Sequence, residues 1–434
     1  MAIAPRRGPR LVLVRLALCA LLWLTGCQAL SQAGGTPSPE PSATPTSAPS
    51  ATPAPTQPAP GPTTLQLWLP PRFDPAGGTA AGDLLAERLE EFTSRRPGVR
   101  VDVRLKAESG PGGLLDALGS ANAAAPLALP DLIVLPRSAL ETAALKGFLF
   151  PIDALSAEAA ADDWYPYAQE LSRIQDSTFG LPLAGDALVM LYRPAEVEVP
   201  PENWEAALAL NQPLAFPAAD PQALFTLLQY MASGGRIQDE EGRPVLDPAI
   251  LLEVLTFYDQ AAQSGLMPFW LTQYTSQEQS WEAYQDEQAH MVDSWVSRYL
   301  SELPVDTSAT RLPTEQAADF TFADGWVVAL ANPQVERHAL AIELAEFLVD
   351  GDFLASWTET AGYLPPRSSA LAGWTDATLK SLINRIVRNA QVIPSSDLLN
   401  VISPALEQAT VEVLKDQSDP GTAVQTAIEQ LTAP

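Results

Sequence analysis

The sequence predicts an α/β protein of two lobes, and three observations carry that reading. Strand and helix patterns alternate over residues 65–135, the βαβ signature of a parallel sheet. From about residue 201 the periodicity becomes mostly helical. Between the blocks lies GLPLAGDALVMLYRP, residues 180–194, whose ALVMLY run is apolar without interruption and reads as a strand buried on both faces. The GLP at its start reads as a turn, because the residue before a proline is excluded from helix. A buried strand joining two blocks serves as a hinge, and it sets Asp186 where the lobes would face each other.

The chain has 434 residues, 47% of them hydrophobic, enough for two or three domains with sizeable cores. The net charge of −27 excludes a nucleic-acid partner, since nothing balances phosphates. Cys19 and Cys27 are its two cysteines, so the folded part carries no disulfide framework.

Residues 1–27 have the anatomy of an export signal. Arg6, Arg7, Arg10 and Arg15 precede a short apolar segment that ends in LTGC. That tetrapeptide resembles the lipobox of bacterial lipoproteins, in which the cysteine, here Cys27, takes the lipid. Two or more acyl chains suffice for a stable membrane anchor where one does not. Residues 28–64 are rich in Ser, Thr, Pro and Ala with a single charge, Glu40, and read as a disordered tether. In a polyproline conformation at ~3.1 Å per residue it would reach on the order of 100 Å.

The folded part opens with LQLWL at 65–69, an alternating strand. A helix over 83–94 places Leu85, Leu89 and Phe92 on one face, and Pro97 and Gly98 stop it. Val99, Val101, Val103 and Leu105 mark a second strand, a short helix follows near 114–121, and DLIVL at 131–135 reads as a buried parallel strand. Ligands on such sheets bind beyond the carboxyl ends of the strands, which points to residues 70–73 and 136–138. In the second block, helices are expected around 225–231 and 250–262. A second apolar strand spans 320–331, and Asn332 and Pro333 read as N-cap and first residue of a helix to 349. Residues 354–360 continue as helix, GYLPPR at 362–367 is extended and forms a third link between lobes, and the tail from about 375 is helical.

The order of these motifs carries a family resemblance. A lipobox and a Pro/Thr tether precede LQLWL, FTSRRPGVRV and PDLIVL; then come FGLPLAGDALVMLYR, GWVVALANP and WTETAGYLPPR. Together they resemble the extracellular solute-binding proteins of ABC importers, in the carbohydrate group that includes maltose-binding protein, over residues 65–431. The resemblance implies a two-lobed periplasmic-binding-protein-like fold, each lobe a sheet flanked by helices, joined by three crossover segments around a ligand cleft. On this reading the N-terminal lobe is 65–185 plus 317–361, and the C-terminal lobe is 186–316 plus 362–434. The sequence departs from the family pattern at Asp324, where Gly-Gly-Trp is common, and in residues 70–78, which lack the usual polar side chains. Both departures fall on the expected cleft.

Sugar recognition needs aromatic faces for the ring and planar charged groups for the hydroxyls. Trp326, Tyr363, Trp295 and Trp270 are the candidate platforms, and Trp68, Trp204, Trp281 and Trp357 are assigned to packing. Asp186, Arg367, Arg72 and Ser138 are the candidate polar contacts. His290 and His338 belong to no catalytic motif, and a surface position is expected for His338. HExxH, GxSxG and GxxxxGK[ST] patterns and Cys/His metal clusters are absent from the sequence, so no enzyme, cofactor or metal is expected. The expected partners are a solute, foremost a sugar, and ABC permease subunits. The expected setting is a lipid-anchored monomer on the outer face of the membrane, or periplasmic where an outer membrane exists. The rivals are a polysaccharide hydrolase, the same scaffold binding a polyamine, and a receptor that has lost transport.

Overall fold

The computed structural model describes residues 63–432; the expected signal peptide, Cys27 and nearly all of the tether lie outside them. Among the described residues eleven strands run in chain order as β1 (Thr63–Leu69), β2 (Val99–Leu105), β3 (Leu132–Pro136), β4 (Arg173–Ile174), β5 (Ser177–Thr178) and β6 (Gly180–Tyr192). These are followed by β7 (Leu214–Ala215), β8 (Met291–Trp295), β9 (Ser308–Thr310), β10 (Thr321–Leu330) and β11 (Ala390–Val392). The main sheet has the order β2-β1-β3-β10-β6-β8-β7, with β11 on β10 and β9 on β6, while β4 and β5 form a small hairpin. β1 runs parallel to β2 and β3, as alternating strands and helices require.

Two long antiparallel strands hold the halves together. β6 pairs β10 over Gly180–Ala187 and then hands over to β8, with Leu188 opposite Trp295 and Tyr192 opposite Met291. The strand therefore begins at Gly180, seven residues before the apolar run at Ala187, and GLP is strand rather than turn. The register slips between Trp326 and Val327, which oppose Ala184 and Pro182 and leave Leu183 over. That bulge is how an interior strand tolerates a proline with no N–H to give.

At the handover Gly185 sits opposite Gly325. A Cβ on Gly185 would stand 2.4 Å from the Tyr167 hydroxyl, and one on Gly325 2.4 Å from the Ala184 carbonyl. Only hydrogen fits at either position, which is why the crossing carries two glycines.

The helices cover both faces of the sheet. Helix Ala80–Ser94 starts three residues earlier than its apolar stripe suggested, because the Thr79 side chain caps it by accepting from the Gly82 amide. Asn332 does not cap its helix directly. Its Oδ1 accepts from Gln334, and the helix runs Val335–Leu348. Asp350 caps a separate helix, Gly351–Ala361, so 354–360 is not a continuation. His338 is buried rather than on the surface: its Nε2 pairs with the Asn332 carbonyl at 2.7 Å and its ring packs on Phe150. Trp68, Trp204, Trp281 and Trp357 are all core residues.

Candidate functional site: an aromatic and acidic cleft

A cleft of about 730 Å³ opens over the strand crossing. Its floor is the crossing itself, where Asp186 and Asp324 are register partners across β6 and β10. Asp186 Oδ1 accepts from the amides of Ala187 (2.9 Å) and Ser297 (3.0 Å), and Asp324 Oδ1 from its neighbour Gly325 at 2.7 Å. Lack of solvent pushes the Asp186 carboxyl up to about 7, and the facing Asp324 adds to that shift against the pull of the amides. Desolvation raises Asp324 as well, with the Arg137 guanidinium opposing it.

One wall is built by the carboxyl ends of β1, β2 and β3, which deliver Arg72, Glu108, Arg137 and Ser138. Arg72 grips Glu108 through Nε (2.5 Å) and Nη2 (2.9 Å) and donates through Nη1 to the Tyr363 hydroxyl at 3.0 Å. Its guanidinium also lies 5.2 Å from the centre of the Trp326 ring. Trp326 stands edge-on to Phe73 at 5.3 Å, and Tyr363 does the same at 5.6 Å, forming one aromatic cluster with Trp357. With 7% and 8% exposure, Trp326 and Tyr363 offer the cleft an edge and pack with the rest.

The opposite wall comes from the second half. Trp295 ends β8 half-buried, and Asp220, Gln277 and Arg298 reach the cleft from a loop and two helix starts. Arg298 is neutralised by Glu278.

Six of the eight residues singled out from the sequence thus share this cleft: Asp186, Trp326, Tyr363, Trp295, Arg72 and Ser138. Arg367 and Trp270 do not line it. Leu364 pairs with Gly185, but Pro365 and Pro366 then carry the chain against Trp164. There Arg367 is 7% exposed, lies 3.8 Å from the Trp164 ring centre and bonds Glu158 at 2.5 Å. Trp270 sits in a short 3-10 turn, Phe269–Gln273, edge-on to Tyr274. Sequence reasoning missed Glu108, Asp220 and Gln277, which occupy turns and helix starts with no periodic signal, while Arg137 lies in the strand-end stretch 136–138 that it did point to. Asp324 had one, as the departure from Gly-Gly-Trp, and it does line the cleft.

The fold and cleft are those of an extracellular binding protein. The profile of bacterial extracellular solute-binding proteins matches residues 87–382, and the chain belongs to that family. The fold is that of the maltose-binding proteins of ABC importers. A cyclic α-maltosyl-1,6-maltose binding protein from Arthrobacter globiformis superposes with a TM-score of 0.69 at 16% identity, over 86% of this chain and 99% of that one. The sugar-binding protein MalE of Xanthomonas citri gives 0.69 at 18%, over 85% and 96%. A Thermotoga lettingae solute-binding protein, bound with α-D-tagatose, gives 0.64 at 20%, over 85% and 98%. No curated protein sequence matches the chain.

Proposed function

We propose that this chain captures a sugar or oligosaccharide in the cleft, outside the membrane, and delivers it to the permease subunits of an ABC importer. The observation that carries the reading is the pairing of aromatics on opposite walls, half-buried Trp295 and the edge of Trp326, with carboxylates between them. A pyranose ring packs against aromatics and its hydroxyls donate to carboxylates. Similar folds hold maltose-type ligands and tagatose, which favours this class. In this reading Cys27 carries the lipid, residues 28–64 lift a monomer off the membrane, and closure of the lobes presents the loaded form to the permease.

We place the hinge at Gly185 and Asp186 in β6 and at Asp324 and Gly325 in β10, with residues 362–367 as the third link. Residues 368–373 pack with the first lobe in this division, through Ser368 and Ser369 on Asp163 and Gly373 against Ala355.

A polyamine or other cationic solute is the second reading, and a specific observation favours it. Glu108, Glu141, Asp186, Asp220, Glu302 and Asp324 outnumber Arg72, Arg137 and Arg298 around the cleft. The hydrolase reading loses ground, because the matching family and the similar folds are solute-binding proteins. Thermal-shift screening of the mature chain against mono- and oligosaccharides, polyamines and amino acids tests the proposal. A ligand at ~100 times its dissociation constant adds about 2.7 kcal/mol, a shift of a few degrees. A polyamine response with silence from every sugar overturns it.

A further inference from the structure

Behind the second wall of the cleft, one carboxyl has no counterion. Asp293, in the middle of β8, is fully buried. Its Oδ2 accepts from Gln277 Nε2 at 2.8 Å, while its Oδ1 has no partner. The Oε1 of the same Gln277 carboxamide is also buried without a partner. Two acceptors, one on each group of a bonded pair, are therefore missing a donor, and a single hydrogen on Oδ1 supplies both. A carboxylic acid and a primary carboxamide close in this way into a ring of two hydrogen bonds, N–H to C=O and O–H to C=O.

The surroundings favour the acid form. The ionisable groups facing Asp293 are Asp220, from the loop after β7, and Tyr258, from helix Pro248–Ser264. Both are acids, and among the described residues no Lys, Arg or His pairs with it. On β6 its register partner is Met190. A carboxylate isolated in such a place takes up a proton, and desolvation indeed pushes this carboxyl up to about 7.

Gln277 matters because it is the first residue of helix Gln277–Gln285 and lines the cleft. We infer that Asp293 stands as the neutral carboxylic acid, ring-bonded to the Gln277 carboxamide, and that this pair positions Gln277 on the cleft wall with its second Nε2 hydrogen free for a ligand oxygen. Asp293 is thus a positioning residue, since it reaches the ligand only through Gln277. Its role in recognition rests on the sugar-binding proposal, while the ring itself does not.

The test is NMR on the complete mature chain, following two groups from about pH 5 to about pH 9. The Asp293 carboxyl carbon, assigned through its own backbone connectivity, is expected to be protonated at the acid end and to titrate near neutrality. The Gln277 side-chain carbonyl carbon is expected to shift in step, because ionisation removes the hydrogen donated to its Oε1 while the amide keeps its bond to Oδ2. In Asp293→Asn, whose amide restores the ring at every pH, that carbon should not move. A carboxyl already ionised at about pH 5 overturns the inference. So does a Gln277 side-chain carbonyl carbon that ignores the titration. The wild-type carboxyl measurement decides the matter even where Asp293→Asn does not fold. Failure of every sugar to bind would sink the proposed function and leave both readouts standing.

Discussion

Asp186 and Asp324 face each other in register across the two strands that join the halves of the molecule. Like charges directly opposite on a sheet repel, and here neither carboxylate has a cation bonded to it. Burial, more than the facing charge, pushes Asp186 up to about 7, and Asp324 adds to it, so the pair holds a proton below neutral pH.

A pH dependence of stability follows, with a definite sign. Asp186 and Asp293 both have folded-state values near 7, above the ordinary Asp value of 3.8. Between about pH 4 and 7 the folded chain binds more protons than the unfolded chain, so resistance to unfolding falls as pH rises through that window. Denaturant titrations at about pH 5 and pH 8 should show the protein weaker at pH 8 by a few kcal/mol. Equal stability at both would mean that neither carboxyl is raised.

Asp324→Asn separates the two contributions. It removes the facing charge and keeps the shape, so Asp186 should titrate somewhat lower, while burial still holds it above an ordinary aspartate. The stability difference between pH 5 and pH 8 should shrink by a few tenths of a kcal/mol. An ionised Asp186 is also the better acceptor for a hydroxyl, so calorimetry at pH 6 should show a neutral sugar bound more tightly by the variant. Weaker binding would instead point to Asp324 as a direct contact.

The aromatic walls predict opposite outcomes for two tryptophans. Trp295 is half-buried and lines the cleft, so Trp295→Ala should abolish most binding at a stability cost near 1 kcal/mol. Trp326 is packed on Phe73, so Trp326→Ala should lose binding and also about 3 kcal/mol or more of stability. Melting curves with and without ligand distinguish them. An undisturbed melting temperature for Trp326→Ala would return it to a purely ligand-facing role.

The order of elements and the crossing strand were legible in the sequence because apolar runs and strand–helix alternation are local patterns. Asp186 was legible as a lone acid beside such a run. Arg367 misled because a sequence shows a charge after two prolines but not the direction in which they turn it, here onto Trp164 and Glu158. His338 misled likewise: its partner, the Asn332 carbonyl, exists only because the helix starts later than the Asn-Pro pair suggested. Gln277 and Asp293 acquire meaning only from each other, 16 residues apart. No spacing rule encodes that pair.

Gly185→Ala tests the crossing itself. The added methyl would lie 2.4 Å from the Tyr167 hydroxyl, which is fully buried and donates at 2.9 Å to the Pro365 carbonyl in the third link. Tyr167 cannot swing away without losing that bond, so the strain must move β6 or break the link. Overpacking of this kind costs about 1–3 kcal/mol, and a freed buried hydroxyl adds to it. Because β6 and residues 364–366 both connect the halves, the change should also alter how readily the cleft closes. Small-angle scattering with and without ligand should then show a smaller ligand-induced compaction than in wild type. A variant as stable as wild type that compacts normally would mean that the glycine is there for some reason other than Tyr167.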